Sequence, residues 1–295
     1  MPRISVDTGM DLEFETFGDP SDPTLLLVNG YTSQLLAWPV ELCEALVAHR
    51  LHVVRYDNRD VGLSTKLDGQ RANPMSVQRR IRDGETPPPV PYLLSDMAAD
   101  GVGLLSALGI EAAHVAGMSM GGMIVQTMAI EHPARIRSLT SIMSSPGDPA
   151  VGRPTPEARD ALLAPPALDR ETHVANSVRS LVWASKRFGD ADEIRRRAAE
   201  DFDRMFYPEG SIRQLAAIYA SPDRSSALAA LTVPTLVLHG SDDTLITPDG
   251  GRRTAELVPG ATYVELADMG HDLPRPLWHT LADLIGGHAR RADAR

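Results

Sequence analysis

The apolar positions of this chain gather into short runs separated by longer amphipathic stretches. Six runs are dense: Thr24–Val28, His52–Tyr56, Ala113–Ala116, Leu139–Met143, Thr235–Leu238 and Thr262–Leu266. Short runs of this kind read as strands of a sheet covered on both faces. Most are separated by segments with helical spacing, over 39–49, 94–108, 122–131 and 251–258. Strand and helix in alternation predict parallel βαβ units with helices on both faces of one sheet. Ile4–Val6 and Leu12–Phe17 alternate apolar and polar residues instead, which predicts an antiparallel hairpin at the sheet edge. The expectation is an α/β chain with a mostly parallel, eight-stranded sheet.

The alternation stops between Ser145 and Ala230. That stretch is rich in helical spacing, is broken by prolines from Pro146 to Pro222, and holds Trp183, Phe188, Phe202, Phe206, Tyr207 and Tyr219. Strands resume at Thr235, and neither flank alone completes a sheet. The predicted organisation is therefore a core in two parts, 1–144 and 231–295, with a helical cap inserted over 145–230. A second irregular stretch, Leu67–Pro91, ends in Thr86-Pro87-Pro88-Pro89-Val90-Pro91 and is expected to be a loop bordering the substrate entrance.

Composition narrows the partners. The chain has 295 residues, enough for one large α/β unit to bury a core without covalent staples. A formal charge of −10 argues against nucleic acid, whose phosphates need clustered cations. Arg195-Arg196-Arg197 is flanked by Asp192, Glu193, Glu200 and Asp201, as expected of a solvated helix face. The single cysteine, Cys43, excludes an intrachain disulfide and lies in an apolar helical pattern that predicts a buried thiol. The N-terminal residues carry no apolar signal core, and no run of about 18 apolar residues occurs, so no membrane span is expected. A cytoplasmic monomer or homodimer is expected, with no metal and no cofactor.

Gly117-Met118-Ser119-Met120-Gly121-Gly122 follows one predicted strand and precedes a predicted helix. This G-x-S-x-G pattern in its strand–turn–helix context places a serine on a sharp turn, with a helix N-terminus at hand for an oxyanion. A serine hydroxyl needs a base, and the base needs a third group to fix its tautomer. Of nine histidines, His271 alone falls on the loop after the last predicted strand, in Gly270-His271-Asp272. Loops at this end of a sheet are where ligands meet α/β folds. His49, His52, His114, His132, His173, His239, His279 and His288 are expected to be structural or at the surface. The acid falls between serine and histidine in chain order. Asp243 is preferred, with its neighbour Asp242 as competitor and Asp148 as a further alternative. Oxyanion donors are expected from the backbone N–H groups of Met120 and Tyr31, with Gly30 leaving room for the approach.

Asn29-Gly30, Asp57-Asn58-Arg59-Asp60-Val61-Gly62-Leu63-Ser64, the Ser119 motif, Asp243 and Gly270-His271-Asp272-Leu273-Pro274 occur in this order along the chain. In these residues, and in Leu51–Asp57, the chain resembles α/β-hydrolases, and within them the aclacinomycin methylesterase group. The resemblance spans about residues 4–288. It implies cofactor-free hydrolysis of a small-molecule carboxylic ester through an acyl-enzyme. Many relatives carry His-Gly where this chain has Asn29-Gly30, which leaves the backbone donor intact. Asp57 and Arg59 are expected to hold their loop by ion pairing. Apolar cap residues and Trp38 are expected to line a moderately hydrophobic substrate site, with the Tyr31 side chain facing the acyl pocket or the packing. A carbon–carbon bond hydrolase, a perhydrolase and a non-catalytic receptor on the same fold remain as alternatives.

Overall fold

The computed structural model describes residues 2–294. Eight strands form one sheet: β1 (Arg3–Ser5), β2 (Asp11–Phe17), β3 (Thr24–Val28), β4 (His52–Tyr56), β5 (Ala113–Met118), β6 (Ile136–Ile142), β7 (Thr235–Gly240) and β8 (Thr262–Leu266). Their spatial order is β1-β2-β4-β3-β5-β6-β7-β8. The N-terminal hairpin is antiparallel and joins β4 antiparallel, while β3 to β8 run parallel.

Eleven α-helices accompany the strands among the described residues: α1 (Val40–Val47), α2 (Pro74–Arg82), α3 (Leu94–Ala107), α4 (Met120–Glu131), α5 (Pro156–Leu162), α6 (Arg170–Ser177), α7 (Ala191–Arg204), α8 (Pro208–Ala220), α9 (Ser225–Leu228), α10 (Pro248–Leu257) and α11 (Trp278–Asp293). The central strands feed two cores. Leu26 and Val28 of β3 join Met97 and Leu104 of α3 and Ile124 and Met128 of α4 on one face. Leu25 and Leu27 of the same strand join Leu42 and Leu46 of α1 and Leu281 and Ile285 of α11 on the other. Both sides of β3 are therefore apolar, which is why the run Leu25-Leu26-Leu27-Val28 shows no alternation. Each such buried side chain contributes about 1.5–3 kcal/mol relative to an exposed one.

The sequence expectation for 67–91 needs correction. Helix α2 lies within it. Its mean hydropathy is low and only Val77 is buried, so the apolar pattern is nearly silent there. The local signal was Asn73-Pro74: the Asn73 side chain accepts from Ser76 N–H, and proline occupies the first helical turn. Residues 83–93 contain no regular element. Cys43 lies in α1, and burial pushes its thiol up to about 12.

Between the adjacent strands β6 and β7 the chain makes a long excursion that carries α5 to α9. Helix α8 meets Asp60 through Arg213, a buried pair with Nε–Oδ2 at 2.8 Å. Arg204, at the end of α7, meets Asp57 at 2.7 Å. Asp57 also accepts from Leu35 N–H and Leu63 N–H, and Arg59 pairs with Asp100 of α3 at 2.6 Å. Asp57 and Arg59 do brace their loop, but each with a partner supplied by another element.

Candidate active site

Strand β5 runs into α4 through Ser119, whose backbone takes φ 56° and ψ −121°. A non-glycine residue rarely occupies that region, and it is sustained only when its surroundings leave no alternative. Here the constraint is steric. A Cβ on Gly121 would overlap the carbonyl oxygens of Val28 and Asn29, and one on Gly117 would overlap the Gly121 carbonyl. Ser119 N–H donates to the Ile142 carbonyl at 2.9 Å, and the Ser119 carbonyl accepts from Met123 N–H and Ser144 Oγ. The turn is thus wedged between the ends of β3 and β6, with its hydroxyl projecting beyond the sheet.

His271 and Asp243 meet this hydroxyl in series. His271 Nε2 lies 2.8 Å from Ser119 Oγ, and His271 Nδ1 lies 2.7 Å from Asp243 Oδ2. Asp243 is fully enclosed. Burial acts to raise its carboxyl, but the imidazoles of His271 and His239 overcome that and hold it at about 2. Its other oxygen accepts from Leu245 N–H and Ile246 N–H, both at 2.9 Å. An ionised carboxylate only accepts, so His271 Nδ1 carries the proton and Nε2 is free to accept from the serine.

Neither competing acid reaches the imidazole. Asp242 accepts from Lys186 N–H, and Asp148 accepts from Ala150 N–H and lies 3.9 Å from Arg253. His239, expected to be structural or at the surface, is completely buried beneath the acid. Its Nε2 is 2.7 Å from the Ile246 carbonyl and 3.3 Å from Asp243 Oδ2.

The loop after β3 crosses the serine closely. A Cβ built on Gly30 would stand 3.3 Å from Ser119 Cβ. Among the described residues, no hydrogen-bond acceptor occupies the N–H of Tyr31 or of Met120. The Asn29 amide donates to the Tyr56 carbonyl at 2.6 Å, and Asn58 donates back to the Asn29 carbonyl, so asparagine ties the ends of β3 and β4 together. The Tyr31 side chain faces Ser211 and Tyr219 of α8, and burial raises its phenol.

Trp38 departs from the expectation of a substrate contact. It is 0% exposed and packs in the core with Leu42, Cys43, Leu273 and Trp278. An indole enclosed by α1 and α11 offers no surface to a ligand. Gly270 is required for close packing rather than for backbone freedom. Its φ is not positive, and a Cβ there would overlap the backbone of Trp183, Ala184 and Ser185. The excursion between β6 and β7 lies directly against the His271 loop. His271 N–H donates to the Trp183 carbonyl, Ser185 N–H to Asp272 at 3.0 Å, and Ser185 Oγ to the Asp268 carbonyl. Burial raises the Asp272 carboxyl, partly offset by its bonds from Ser185 and Gly270 N–H.

The model of the α/β-hydrolase fold family matches residues 23–274, a span that includes every residue of this site. The chain belongs to the α/β-hydrolase fold family. Rhodomycin D methylesterase of Streptomyces peucetius is 31% identical to this hydrolase over 98% of both chains. The rhodomycin D methylesterase of Streptomyces sp. strain C5 is 32% identical over 98% of each chain. Among solved structures, the enol-lactonase from Burkholderia xenovorans LB400 superposes with a TM-score of 0.71 at 23% identity, covering 100% of each chain, a likeness of fold. Among the described residues of this α/β-hydrolase, no group of three or more His, Cys, Asp or Glu is disposed to hold a metal ion, and no helix is long and apolar enough to cross a membrane.

Proposed function

We propose that this α/β-hydrolase cleaves carboxylic esters through an acyl-enzyme on Ser119. The observation that carries the proposal is the unbroken hydrogen-bonded series Ser119 Oγ, His271 and Asp243 on a strained turn. The methylesterase relatives, matched along nearly the whole chain, supply the bond type.

In this reading Ser119 Oγ attacks the ester carbonyl while its proton passes to His271 Nε2. The carbonyl π pair moves onto oxygen, where the N–H groups of Met120 and Tyr31 receive the charge. The intermediate collapses, the carbon–alkoxy bond breaks, and the alcohol departs with the proton from His271. Water then attacks the acyl-enzyme, giving its proton to His271, and the acid leaves as Ser119 Oγ recovers its proton. Asp243 remains a carboxylate throughout. It fixes the tautomer and stabilises the imidazolium.

The preferred substrates are methyl esters of acids with moderately hydrophobic bodies, admitted under a cap formed by residues 145–230. The test is turnover of p-nitrophenyl acetate and of a methyl-ester panel by the parent and by Ser119→Ala. The parent turns over, and the variant falls to background. Activity retained in Ser119→Ala would sink the nucleophile assignment. Preference for vinylogous diketones over every ester would replace the ester reading with carbon–carbon hydrolysis.

A further inference from the structure

We infer that Gln214 of α8 is a positioning residue for the oxyanion hole, setting from the far side of the 145–230 segment the peptide that follows Tyr31. The inference rests on the proposed esterase reading.

Gln214 is 1% exposed and both ends of its amide are engaged. Its Oε1 accepts from Thr32 N–H at 2.9 Å, and its Nε2 donates to the Arg59 carbonyl at 3.0 Å. The first contact joins it to the loop that carries the Tyr31 N–H. That loop makes a tight reversal in which Ser33 N–H donates to the Gly30 carbonyl at 3.3 Å. Within the reversal Thr32 sits at φ 59°, a left-handed backbone that a β-branched residue avoids unless held there. The Tyr31–Thr32 peptide is held at both ends, its N–H by Gln214 and its carbonyl by Ser33 Oγ at 3.3 Å.

Without the Gln214 acceptor, the Thr32 N–H would lose the protein partner that holds its peptide in place. Thr32 can then relax out of the left-handed region by rotating the Tyr31–Thr32 peptide. Such a rotation displaces Tyr31 relative to Ser119, and oxyanion donors act only when aimed at the developing charge. Ion pairs fix the position of Gln214: Arg213, its chain neighbour, is clamped to Asp60 by two contacts of 2.8 Å.

The experiment compares the parent, Ser119→Ala, Gln214→Leu, Gln214→Glu and Thr32→Gly/Gln214→Leu on p-nitrophenyl acetate. Active sites are titrated to their endpoint with a fluorophosphonate, so that rates refer to competent enzyme. Gln214→Leu is expected to lower kcat about 10–100-fold, less than outright loss of an oxyanion donor, with KM within about twofold. Gln214→Glu keeps an acceptor for Thr32 N–H but gives up the donor to the Arg59 carbonyl, and should still retain more kcat than the leucine variant, which loses both. Thr32→Gly should restore part of the lost kcat in the double variant, because glycine takes the left-handed backbone unaided. A leucine variant with parental kcat per titrated site would overturn the inference while leaving the Ser119 reading intact. A double variant no better than Gln214→Leu would also overturn it, by assigning the loss to packing. Parent enzyme with no Ser119-dependent turnover would remove both.

Discussion

The two halves of the candidate site are held by different forces. Ser119 is fixed mainly by exclusion: backbone at the end of β3 and the start of α4 leaves no space for a side chain at Gly117 or Gly121. His271 and Asp243 are fixed by attachment. Their loops are bonded to Trp183, Ser185 and Lys186, and Asp243 is further held by local backbone N–H groups and by His239. Exclusion acts through hard contacts, so its failure is all or none. Attachment is spread over many modest bonds, each worth about 0.5–1.5 kcal/mol net. Loss of one loosens the geometry by degrees.

Five substitutions probe this contrast, from the largest expected effect downward. Gly121→Val drives a side chain into the Val28 and Asn29 carbonyls and should cost about 4 kcal/mol or more, leaving little folded protein by circular dichroism. A variant that melts like the parent would break the steric half of the comparison.

Asp243→Asn should keep the fold and lower kcat about 10³–10⁴-fold, because an amide favours the wrong imidazole tautomer. Asp242→Asn should change kcat less than about threefold. A reversed order in steady-state assays would transfer the acid role to Asp242. Stability gives a second readout of the same carboxyl. Its folded value, about 2, lies below the ordinary 3.8. It therefore stabilises the fold fully above pH 3.8 and loses that contribution as pH falls towards 2. The asparagine variant should lack this part of the acid-unfolding curve.

Gly270→Ala drives a Cβ into the backbone at Trp183–Ser185 and should lower kcat about 10–100-fold through displacement of His271, with a clear loss of Tm as the 183–185 segment is pushed aside. Parental kcat in this variant would show that the 183–185 segment does not hold the base.

Asp201→Asn tests the cost of a polar clasp. Asp201 is half-buried on α7 with its Oδ1 enclosed and unpartnered, and desolvation, aided by Asp57, pushes its carboxyl up to about 6 against the pull of Arg204 and Arg197. A raised acid binds its proton better in the folded state, so its ionisation costs stability as pH rises. The asparagine variant should be about 1–2 kcal/mol more stable than the parent in urea melts at pH 8, and no more stable at pH 4. Equal stability at pH 8 would mean that Asp201 is better solvated than its position implies.

The excluded half was largely legible in the sequence and the attached half was not. Strands with apolar residues on both faces announce themselves, and the glycines around Ser119 stand within four residues of it. His271 and Asp243 were reachable through chain order and loop position. The contacts that hold them were hidden. Ser185 and Asp268 are 83 positions apart, and Ser185 and Asp272 are 87 apart, so no local pattern links them. Helix α2 was missed because its single buried side chain gives no stripe, although Asn73-Pro74 marked its start. Trp38 was misjudged because an aromatic beside a candidate site looks the same in sequence whether it faces ligand or core.

The two ends of the segment between β6 and β7 leave and re-enter on neighbouring strands. Adjacent strands lie only about 4.8 Å apart, which would ordinarily make such a segment a convenient unit for exchange between relatives. In this chain the transplant would carry away Ser185 and Gln214 together, and with them the grip on the His271 loop and on the loop bearing Tyr31. A donor segment chosen for its substrate preference must therefore bring hydrogen-bonding partners at both positions. Without them, the recipient would inherit a new pocket over a slackened site.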